Sequence, residues 1–453
     1  MTTDGYPGGS TGPGPARPPQ AGLPHAGLPG AELPAALLRG LTGRRLNRRS
    51  LFRFAGLTGG AALLAAGGGG GGGGDEDATA VESFWKGRKQ AGVLDFANWP
   101  LYMDVGATAA EHPSLDLFTE ATGIKVNYHE VIQESESFFA QIRPGLARSE
   151  PIGYDLIVLT NGIVLSRMIR LGYLAPLDHS RLPTFAANAD PSVKDPSYDP
   201  GNQFTVAWQS GITGIAYDPE KTGREITSFE DLFDPAFAGR VGMFGENQEL
   251  PNFALLGIGV APEESSPDDW RRAADRLIEQ QTAGIIRRYY DQSYIDALAT
   301  GELWLSMAWS GDVYQQIAAG RNLRFTVPRE GGLIWTDSLC IPKTALHPVD
   351  AIAYMDFVYR PEIAGMLAEA LNFITPVPAA AEHVSPELAK STLLFPTRVE
   401  LDRVRRFRVL TAEEETEWNE IFRPVYQSAL VENRIGTAGS PISGVRQSGP
   451  GPH

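Results

Sequence analysis

Cysteine is nearly absent from this sequence, since Cys340 is the only one among 453 residues. One thiol cannot form an intramolecular disulfide, and it cannot supply a CxxC redox motif or a zinc site built from cysteine pairs. Cys340 lies in an apolar run between Leu339 and Ile341. This setting predicts a buried thiol in the protein core.

Motifs that indicate catalysis or a bound metal are also missing. The 7 histidines are scattered without a ligand spacing such as HExxH. The chain has no GxSxG nucleophile elbow between a predicted strand and a predicted helix, and it has no Walker phosphate-binding loop. We therefore predict a protein that is not an enzyme and that uses no cofactor and no metal ion.

Basic residues are fewer than acidic ones. The 39 lysines and arginines stand against 54 aspartates and glutamates, which gives a formal charge of −15 at pH 7. This balance argues against nucleic acid or an anionic membrane surface as the main partner. It is compatible with a cationic ligand, although an acidic excess also serves solubility in many proteins.

The first 74 residues resemble an export signal rather than a folded domain. Residues 1–43 are rich in proline and glycine and have little apolar periodicity, which predicts disorder. Arg48 and Arg49 then lie in a basic segment directly before a weakly apolar stretch at 54–66. This order is typical of a twin-arginine export signal, and the stretch is too short to be an ordinary membrane span.

A run of glycines at 67–74 follows the apolar stretch and is interpreted as a tether. In binding lipoproteins such a tether follows a cysteine that carries the lipid. Here Gly67 occupies that position, so the sequence does not support a lipid anchor. Whether the signal is cleaved or retained is left open.

From residue 93 onward, short apolar segments alternate with amphipathic ones, the pattern of βα units in an α/β fold. The predicted strands are 93–98, 125–130, 155–159, 204–208, 212–217, 241–244, 303–309, 323–327 and 339–342. The predicted helices are 114–122, 138–146, 270–281, 294–300 and 348–360. Two such blocks predict two lobes, with ligand contacts just beyond the carboxyl ends of the strands.

Several phrases at these strand ends carry a family resemblance. They are FANWPLY at 96–102, EATGIKV at 120–126, YDLIV at 154–158, WSGD at 309–312 and PREGGLIWTDS at 328–338. Together they closely resemble the spermidine/putrescine-binding proteins of bacterial ABC transporters, from about residue 93 to residue 418. The last phrase is the most specific, whereas the second is shared by many solute-binding proteins.

The resemblance implies a two-lobed type II periplasmic-binding-protein fold, in which each lobe is a mixed sheet flanked by helices and a hinge joins the lobes. The implied organisation begins with a signal and tether at 1–74 and a linker at 75–91. Lobe 1 comprises 92–208, and about 336–380 returns to it; lobe 2 comprises 209–335, and about 381–434 returns to it. A disordered tail at 435–453 ends the chain. A monomer that delivers a small cation to the membrane permease of an ABC importer is implied as well. Its implied location is the periplasmic space or the outer face of the cytoplasmic membrane.

The family's ligand-binding positions transfer to this sequence by alignment. The implied cleft walls and polar contacts are Trp99, Tyr102, Thr160, Glu246, Glu249, Trp309, Trp335, Asp337, Phe373 and Asn419. Gly162 and Phe373 replace family tyrosines, and Glu246 replaces an aspartate. These changes leave the particular amine open.

A polyamine is a flexible apolar rod that carries ammonium groups a few methylenes apart. Tryptophan rings suit the methylenes and the charges, and carboxylates suit the ammonium groups. Each residue also has a structural alternative: the tryptophans could be core packing, Glu246 and Glu249 a solvated first turn of a helix, and Asp337 a turn cap. The expected behaviour is tight binding that changes little with pH.

Two rival functions use the same residues differently. A pair of carboxylates in a tryptophan-rich cleft could belong to a secreted glycoside hydrolase. A binding protein of the same fold could take another organic cation or ferric ion, for which Tyr289 and Tyr290 would be candidate ligands. For that tyrosine pair, packing at the start of a helix is the favoured interpretation.

Overall fold

The computed structural model describes residues 73–108 and 110–431. Its helices are α1 (Gly73–Trp85), α2 (Pro113–Thr122), α3 (Ser135–Ala147), α4 (Ile163–Arg170), α5 (Pro183–Asn188), α6 (Pro219–Thr222), α7 (Glu249–Gly257), α8 (Pro267–Thr282), α9 (Tyr294–Thr300), α10 (Ser310–Ala318), α11 (Pro348–Phe357), α12 (Pro361–Leu371), α13 (Pro386–Ala389), α14 (Arg398–Leu401) and α15 (Ala412–Val431). Its strands are β1 (Val93–Asn98), β2 (Lys125–Glu130), β3 (Leu156–Thr160), β4 (Thr205–Tyr217), β5 (Val241–Phe244), β6 (Ile286–Tyr290), β7 (Leu305–Trp309), β8 (Arg324–Thr326), β9 (Gly332–Cys340) and β10 (Val404–Arg405). The predicted twin-arginine pair Arg48 and Arg49, Gly67 and the predicted tail at 435–453 lie outside the described residues.

The strands form one hydrogen-bonded sheet in the order β2-β1-β3-β9-β4-β7-β5-β6, with β10 beside β9 and β8 beside β4. Two parallel groups flank the centre: β2, β1 and β3 on one side, and β7, β5 and β6 on the other. The long strands β4 and β9 run antiparallel between the groups and belong to both. They therefore connect two α/β halves through a shared central pair.

The register of the central strands brings the ends of the two groups near each other. Thr160 at the end of β3 lies opposite Asp337 of β9, which in turn lies opposite Gln209 of β4. Trp309 at the end of β7 lies opposite Thr213 of β4. Four residues of β4 separate these two points, a distance of roughly 13 Å along a strand.

Apolar side chains collect in separate cores on the two sides of the central pair. One core contains buried residues between 215 and 335 together with Phe407, Trp418 and Phe422 of the carboxyl-terminal segment. The other side contains residues from the first part of the chain and from 339–380. We propose that these cores correspond to lobe 2 and lobe 1, and that α1, whose Trp85 lies in the second core, also belongs to lobe 1.

The lobe 2 helix α8 shows how local sequence fixes an element. Ser266 and Asp269 form a capping box at its start, and Pro267 occupies the first turn. Trp270 and Leu277 of this helix are fully buried, and Trp270 contacts the Trp418 ring of α15 at 5.2 Å. The apolar face of α8 therefore attaches the late helix α15 to lobe 2.

Three details differ from the sequence predictions. The segment 75–91, expected to be a linker, contains most of α1, and Trp85 of that helix is buried and donates a hydrogen bond to the Pro176 carbonyl at 2.8 Å. The strands predicted at 204–208 and 212–217 are one strand, β4. Tyr289 and Tyr290 end β6, the edge strand that pairs in parallel with β5, instead of starting a helix, because isoleucine and tyrosine favour a strand.

Two other expectations can be compared with the described part of the chain. Cys340 is buried at the end of β9, which confirms the prediction of a core thiol. Among residues 73–108 and 110–431, no helix combines the length and the apolar character needed to span a bilayer.

Candidate ligand-binding cleft

Asp337 of β9 is held between two hydroxyl groups from different segments. The Tyr102 hydroxyl donates to Oδ2 at 2.7 Å, and the Thr160 hydroxyl donates to Oδ1 at 2.6 Å. The side chain is almost fully buried, and burial raises its pKa to about 6, although both hydrogen bonds act in the opposite direction. The structure therefore brings three predicted site residues together around one desolvated carboxyl group.

Glu249 is the first residue of α7 and holds the matching position on the lobe 2 side. Its Oε1 accepts hydrogen bonds from the Thr213 hydroxyl and from Trp309 Nε1, the latter at 2.7 Å. Only 4% of the residue is exposed, so the solvated first turn considered from the sequence is wrong for Glu249. Burial, followed by the charge of Glu246, raises the pKa of Glu249 well above its ordinary value.

A continuous row of aromatic rings joins these two carboxyl groups. Tyr102 contacts Phe373 with ring centroids 5.4 Å apart, and Phe373 contacts Trp335 at 5.6 Å. Trp335 contacts Trp309 at 6.3 Å. All four aromatic residues were predicted site residues, and the row runs from the lobe 1 carboxyl group to the lobe 2 carboxyl group.

Glycine at 211 allows this row to form. Gly211 lies opposite Trp335 across the β4 and β9 pair. A Cβ atom at position 211 would lie 2.2 Å from the Trp335 ring, far closer than atoms can approach. The six-membered ring of Trp335 therefore lies against the bare backbone of β4 at Gly211.

Two further acidic residues contribute to the same cleft. Glu246 lies in the loop after β5, and protein atoms around it and the charges of Glu134 and Asp337 raise its pKa. Solvent reaches the Glu246 side chain, so we expect screening by water to make the actual rise smaller. Asp312 was not predicted: it accepts a hydrogen bond from Tyr294 at 2.8 Å, and burial raises its pKa to about 6.

The acidic groups influence one another but lack basic partners. Glu246 and Asp337 both raise the pKa of Glu249, and Asp312 and Asp337 both raise that of Tyr102. Within the part of the chain that the structure describes, no lysine or arginine forms an ion pair with Glu246, Glu249, Asp312 or Asp337. Asp337 and Glu249 are buried acids without such a counterion, which is unfavourable, and a bound cation would relieve them.

The loop that carries Glu246 is fixed from both lobes. The Gln248 side chain accepts from the Ile163 amide at 2.8 Å and donates to the Asn161 carbonyl at 3.0 Å. A side chain at Gly162 would overlap Gln248, which explains why this position is glycine here. Sequence reasoning missed Gln248, since a lone glutamine after a strand gives no signal of its own.

Two predicted residues stay apart from this group. Asn419 is exposed on α15, and its neighbour Trp418 is the one that reaches the cleft loop, donating to the Asn247 carbonyl at 2.9 Å. Trp99 directly follows β1 and packs against the lobe 1 core. Among the described residues, Trp99 forms no ring contact with the aromatic row and no hydrogen bond with the cleft carboxyl groups. Its indole N–H is buried and has no hydrogen-bond partner there. The ligand roles of Trp99 and Asn419 remain predictions.

The substitution Glu249→Gln tests whether the ligand-free site is electrostatically unfavourable. In the unfolded chain this carboxyl loses its proton near pH 4.5, whereas burial keeps the proton bound in the folded state. As the pH rises above 4.5, the wild-type protein is therefore destabilised progressively. Gln carries no charge and still accepts both hydrogen bonds, so the variant should be about 1–3 kcal/mol more stable than the wild type at pH 8.5 and equally stable at pH 4.5.

Urea denaturation at the two pH values measures this difference. Glu264→Gln, at an exposed position, serves as the control and should change the free energy of unfolding little at either pH. A Glu249→Gln protein that is less stable than the wild type at pH 8.5 would show that the charge is compensated within the free protein.

Comparison with known proteins places this cleft in a family. Residues 153–403 match the family model of bacterial extracellular solute-binding proteins. The chain is 29% identical over 308 residues to the spermidine/putrescine-binding periplasmic protein of Escherichia coli (strain K12), covering 67% of this chain and 83% of that protein. It is 28% identical over 337 residues to a putrescine/agmatine-binding protein of Pseudomonas aeruginosa, covering 70% of this chain and 86% of that protein.

A solved structure shows the same architecture. The spermidine/putrescine ABC transporter substrate-binding protein PotD from Streptococcus pneumoniae superimposes with a TM-score of 0.64 at 23% identity, covering 75% of this chain and 100% of that protein. The predicted two-lobed α/β periplasmic-binding fold is thereby confirmed. The family match spans more than half of the sequence, and this chain belongs to the bacterial extracellular solute-binding proteins.

Proposed function

We propose that this protein captures a polyamine of the spermidine or putrescine class outside the cytoplasm and delivers it to the membrane permease of an ABC importer. The observation that carries the proposal is a set of four carboxyl groups beside a row of aromatic rings, none of which forms an ion pair with a lysine or arginine of residues 73–108 and 110–431. Relatives that bind spermidine, putrescine or agmatine by name support the same ligand class.

The spacing of the carboxyl groups suits a cation that carries more than one charge. Asp337 and Glu249 are held from opposite lobes, and Trp309 and Trp335 lie between them. An ammonium over an indole is worth about 2 kcal/mol when both are desolvated, and charge-assisted hydrogen bonds to each carboxylate would fix the ends. A monovalent cation such as choline would satisfy only one end of the cleft.

Ferric ion is not favoured by the arrangement of tyrosines. Tyr289 and Tyr290 are both buried in the lobe 2 core. The Tyr290 hydroxyl donates to Glu302 at 3.2 Å, on a strand at the outer edge of the sheet and away from the central pair. We also propose that the protein is a monomer and acts by binding rather than by catalysis, as the family resemblance implies.

A ligand panel tests the proposal. The protein is titrated with putrescine, spermidine, spermine, choline and ferric ion while tryptophan fluorescence is recorded, because Trp309 and Trp335 lie in the cleft. At least one diamine or polyamine should saturate the signal at a stoichiometry of one per chain, and choline should bind at least about tenfold more weakly. A response to ferric ion alone, or to none of the amines, would overturn the proposed ligand class.

We also propose export by the twin-arginine route, for which the support is the basic pair Arg48 and Arg49 before a short apolar stretch. Replacing both with lysine should abolish export, because this route depends on the arginine pair. Cell fractionation measures the distribution. The single variant Arg53→Lys, a few residues after the pair, is the control and should be exported normally; export of the double variant at the wild-type level would contradict the assignment.

A further inference from the structure

A second cluster of polar side chains lies in lobe 1, away from the cleft. It consists of Asp95, His129, Asp155 and His347, which come from four separate parts of the sequence. We propose that these four side chains form a binding site for a divalent transition metal of the zinc type. The sequence prediction of no metal considered only ligand spacings along the chain, which cannot detect a cluster assembled from four separate segments.

The sheet brings three of the four residues onto one face, with His129 two positions beyond Asn127, the residue that pairs with Asp95. In the order β2-β1-β3, Ala97 of β1 pairs with His129, and Phe96 pairs with Leu156, the residue after Asp155. Because side chains alternate along a strand, Asp95, His129 and Asp155 point to the same face of three adjacent strands. His347 reaches this face of the sheet from the turn that precedes α11.

The atoms lie at separations that one metal ion could bridge. One ligand atom each from Asp95, Asp155 and His347 lies within 4.8 Å of the other two. His129 Nε2 lies 3.4 Å from Asp95 Oδ1, which is long for a hydrogen bond. Two ligands of a tetrahedral zinc ion with bonds of about 2.0–2.1 Å lie roughly 3.3 Å apart, which the separation of His129 from Asp95 matches. His129 lies outside the group of three within 4.8 Å, so its imidazole would have to turn toward Asp155 and His347 to bind the same ion.

Metal binding would also change the contact between His347 and Asp155. His347 Nδ1 lies 2.8 Å from Asp155 Oδ2, and the His347 amide donates to Asp155 Oδ1 at 2.8 Å. A metal would replace the shared proton between the nitrogen and Oδ2, and the two atoms would separate by about half an ångström. The Asp155 carboxylate would keep hydrogen bonds from the amides of Asp95 and His347, which orient it as an outer shell orients metal ligands.

Charge also favours a divalent cation here. Only 3% of the Asp155 side chain is exposed, and 30% of the Asp95 side chain. Among the described residues, neither carboxylate forms an ion pair with lysine or arginine. Two carboxylates and two neutral imidazoles match the charge of one divalent ion, and imidazole nitrogen with carboxylate oxygen is a donor set that suits zinc. The partly exposed His129 leaves a route for the metal to enter.

The two sites are distinct. Asp155 directly precedes β3, whereas the cleft residue Thr160 ends that strand, roughly 16 Å further along. Metal binding in lobe 1 would therefore stabilise the lobe rather than contact the ligand. Failure of the metal proposal and failure of the polyamine proposal can be told apart, because each uses its own residues.

A competition titration tests the metal site. The full chain is freed of metal with a chelator and titrated with Zn²⁺ against a chromophoric chelator, and the visible spectrum of Co²⁺ reports the ligand geometry. The wild type should bind one Zn²⁺ that His129→Ala, His347→Ala and the double variant weaken at least about tenfold. Thermal unfolding in chelator checks that each variant folds, and the partly exposed His129 provides the milder substitution.

Two matched variants make the result specific. His383→Ala removes an exposed histidine outside the cluster and should leave Zn²⁺ affinity unchanged. Asp337→Asn alters the cleft and should also leave it unchanged. The proposal is overturned if the wild type takes up no Zn²⁺, if the double histidine variant binds it with wild-type affinity, or if Asp337→Asn rather than the histidine variants removes binding.

Discussion

The variant Asp337→Asn is expected to bind spermidine and putrescine at least about 30-fold more weakly than the wild type. Asp337 is buried, and the hydroxyl groups of Tyr102 and Thr160 orient its carboxylate. An asparagine offers no charge to an ammonium group, which then remains desolvated without a partner. Losing one member of a buried charge pair costs about 2–5 kcal/mol, and 2 kcal/mol corresponds to roughly 30-fold in the dissociation constant.

Two comparisons isolate the charge in this experiment. Thr160→Val removes one hydrogen bond to the same carboxylate and should weaken binding less than Asp337→Asn does. Asp268→Asn changes a carboxylate whose side chain is 92% exposed and should leave the affinity unchanged. Isothermal titration calorimetry measures all three. Equal affinities of the wild type and the folded Asp337→Asn protein would place the ammonium group elsewhere.

Polyamine affinity should also increase by at least about 100-fold between pH 5.5 and pH 8.5. Asp337 and Asp312 have pKa values of about 6, and those of Glu249 and Glu246 are raised as well. In the free protein these groups hold protons at low pH, and a cation must displace them. Each displaced proton contributes up to tenfold per pH unit below the pKa of its group.

The primary ammonium groups of the ligand stay largely protonated over this range, since an isolated alkyl ammonium group loses its proton only near pH 10. Calorimetry in buffers of different ionisation enthalpy counts the protons released on binding. More than one proton should be released at pH 6.5, and Glu249→Gln should release fewer. An affinity that stays constant from pH 5.5 to 8.5 would show that the carboxyl groups are already ionised in the free protein.

This pH dependence reverses the expectation drawn from the sequence. Asp337, Glu246 and Glu249 could be named from a family resemblance, but their burial and mutual repulsion could not. Asp312 received no role because a single aspartate at a helix start usually only caps the helix. In the fold, Asp312 accepts a hydrogen bond from Tyr294, a residue 18 positions earlier in the sequence, and thereby joins the group of cleft residues.

The strands of the two parallel groups could be predicted from apolar runs, and β1, β2 and β5 begin and end at the predicted residues. The joining of 204–208 and 212–217 into β4 was missed, because Ser210 and Gly211 interrupt the apolar pattern. In the fold these residues are shielded by β9 and the Trp335 ring. Tertiary contact, rather than local preference, decides the conformation at that point.

The lobe 1 histidine cluster shows a second limit. His129 and His347 are 218 positions apart in the sequence, and no spacing rule connects them. The pairing of β2 with β1 and the turn before α11 bring them to the same pair of aspartates. Such sites follow from strand order, which local sequence patterns do not contain.

A crystal structure of the protein with spermidine tests the central claim most directly. We expect one ammonium nitrogen within about 3 Å of the Asp337 carboxylate and another within that distance of Glu249, with the methylene chain against the rings of Trp309 and Trp335. A ligand bound without contact to either carboxylate, or bound outside the cleft between the lobes, would contradict the account.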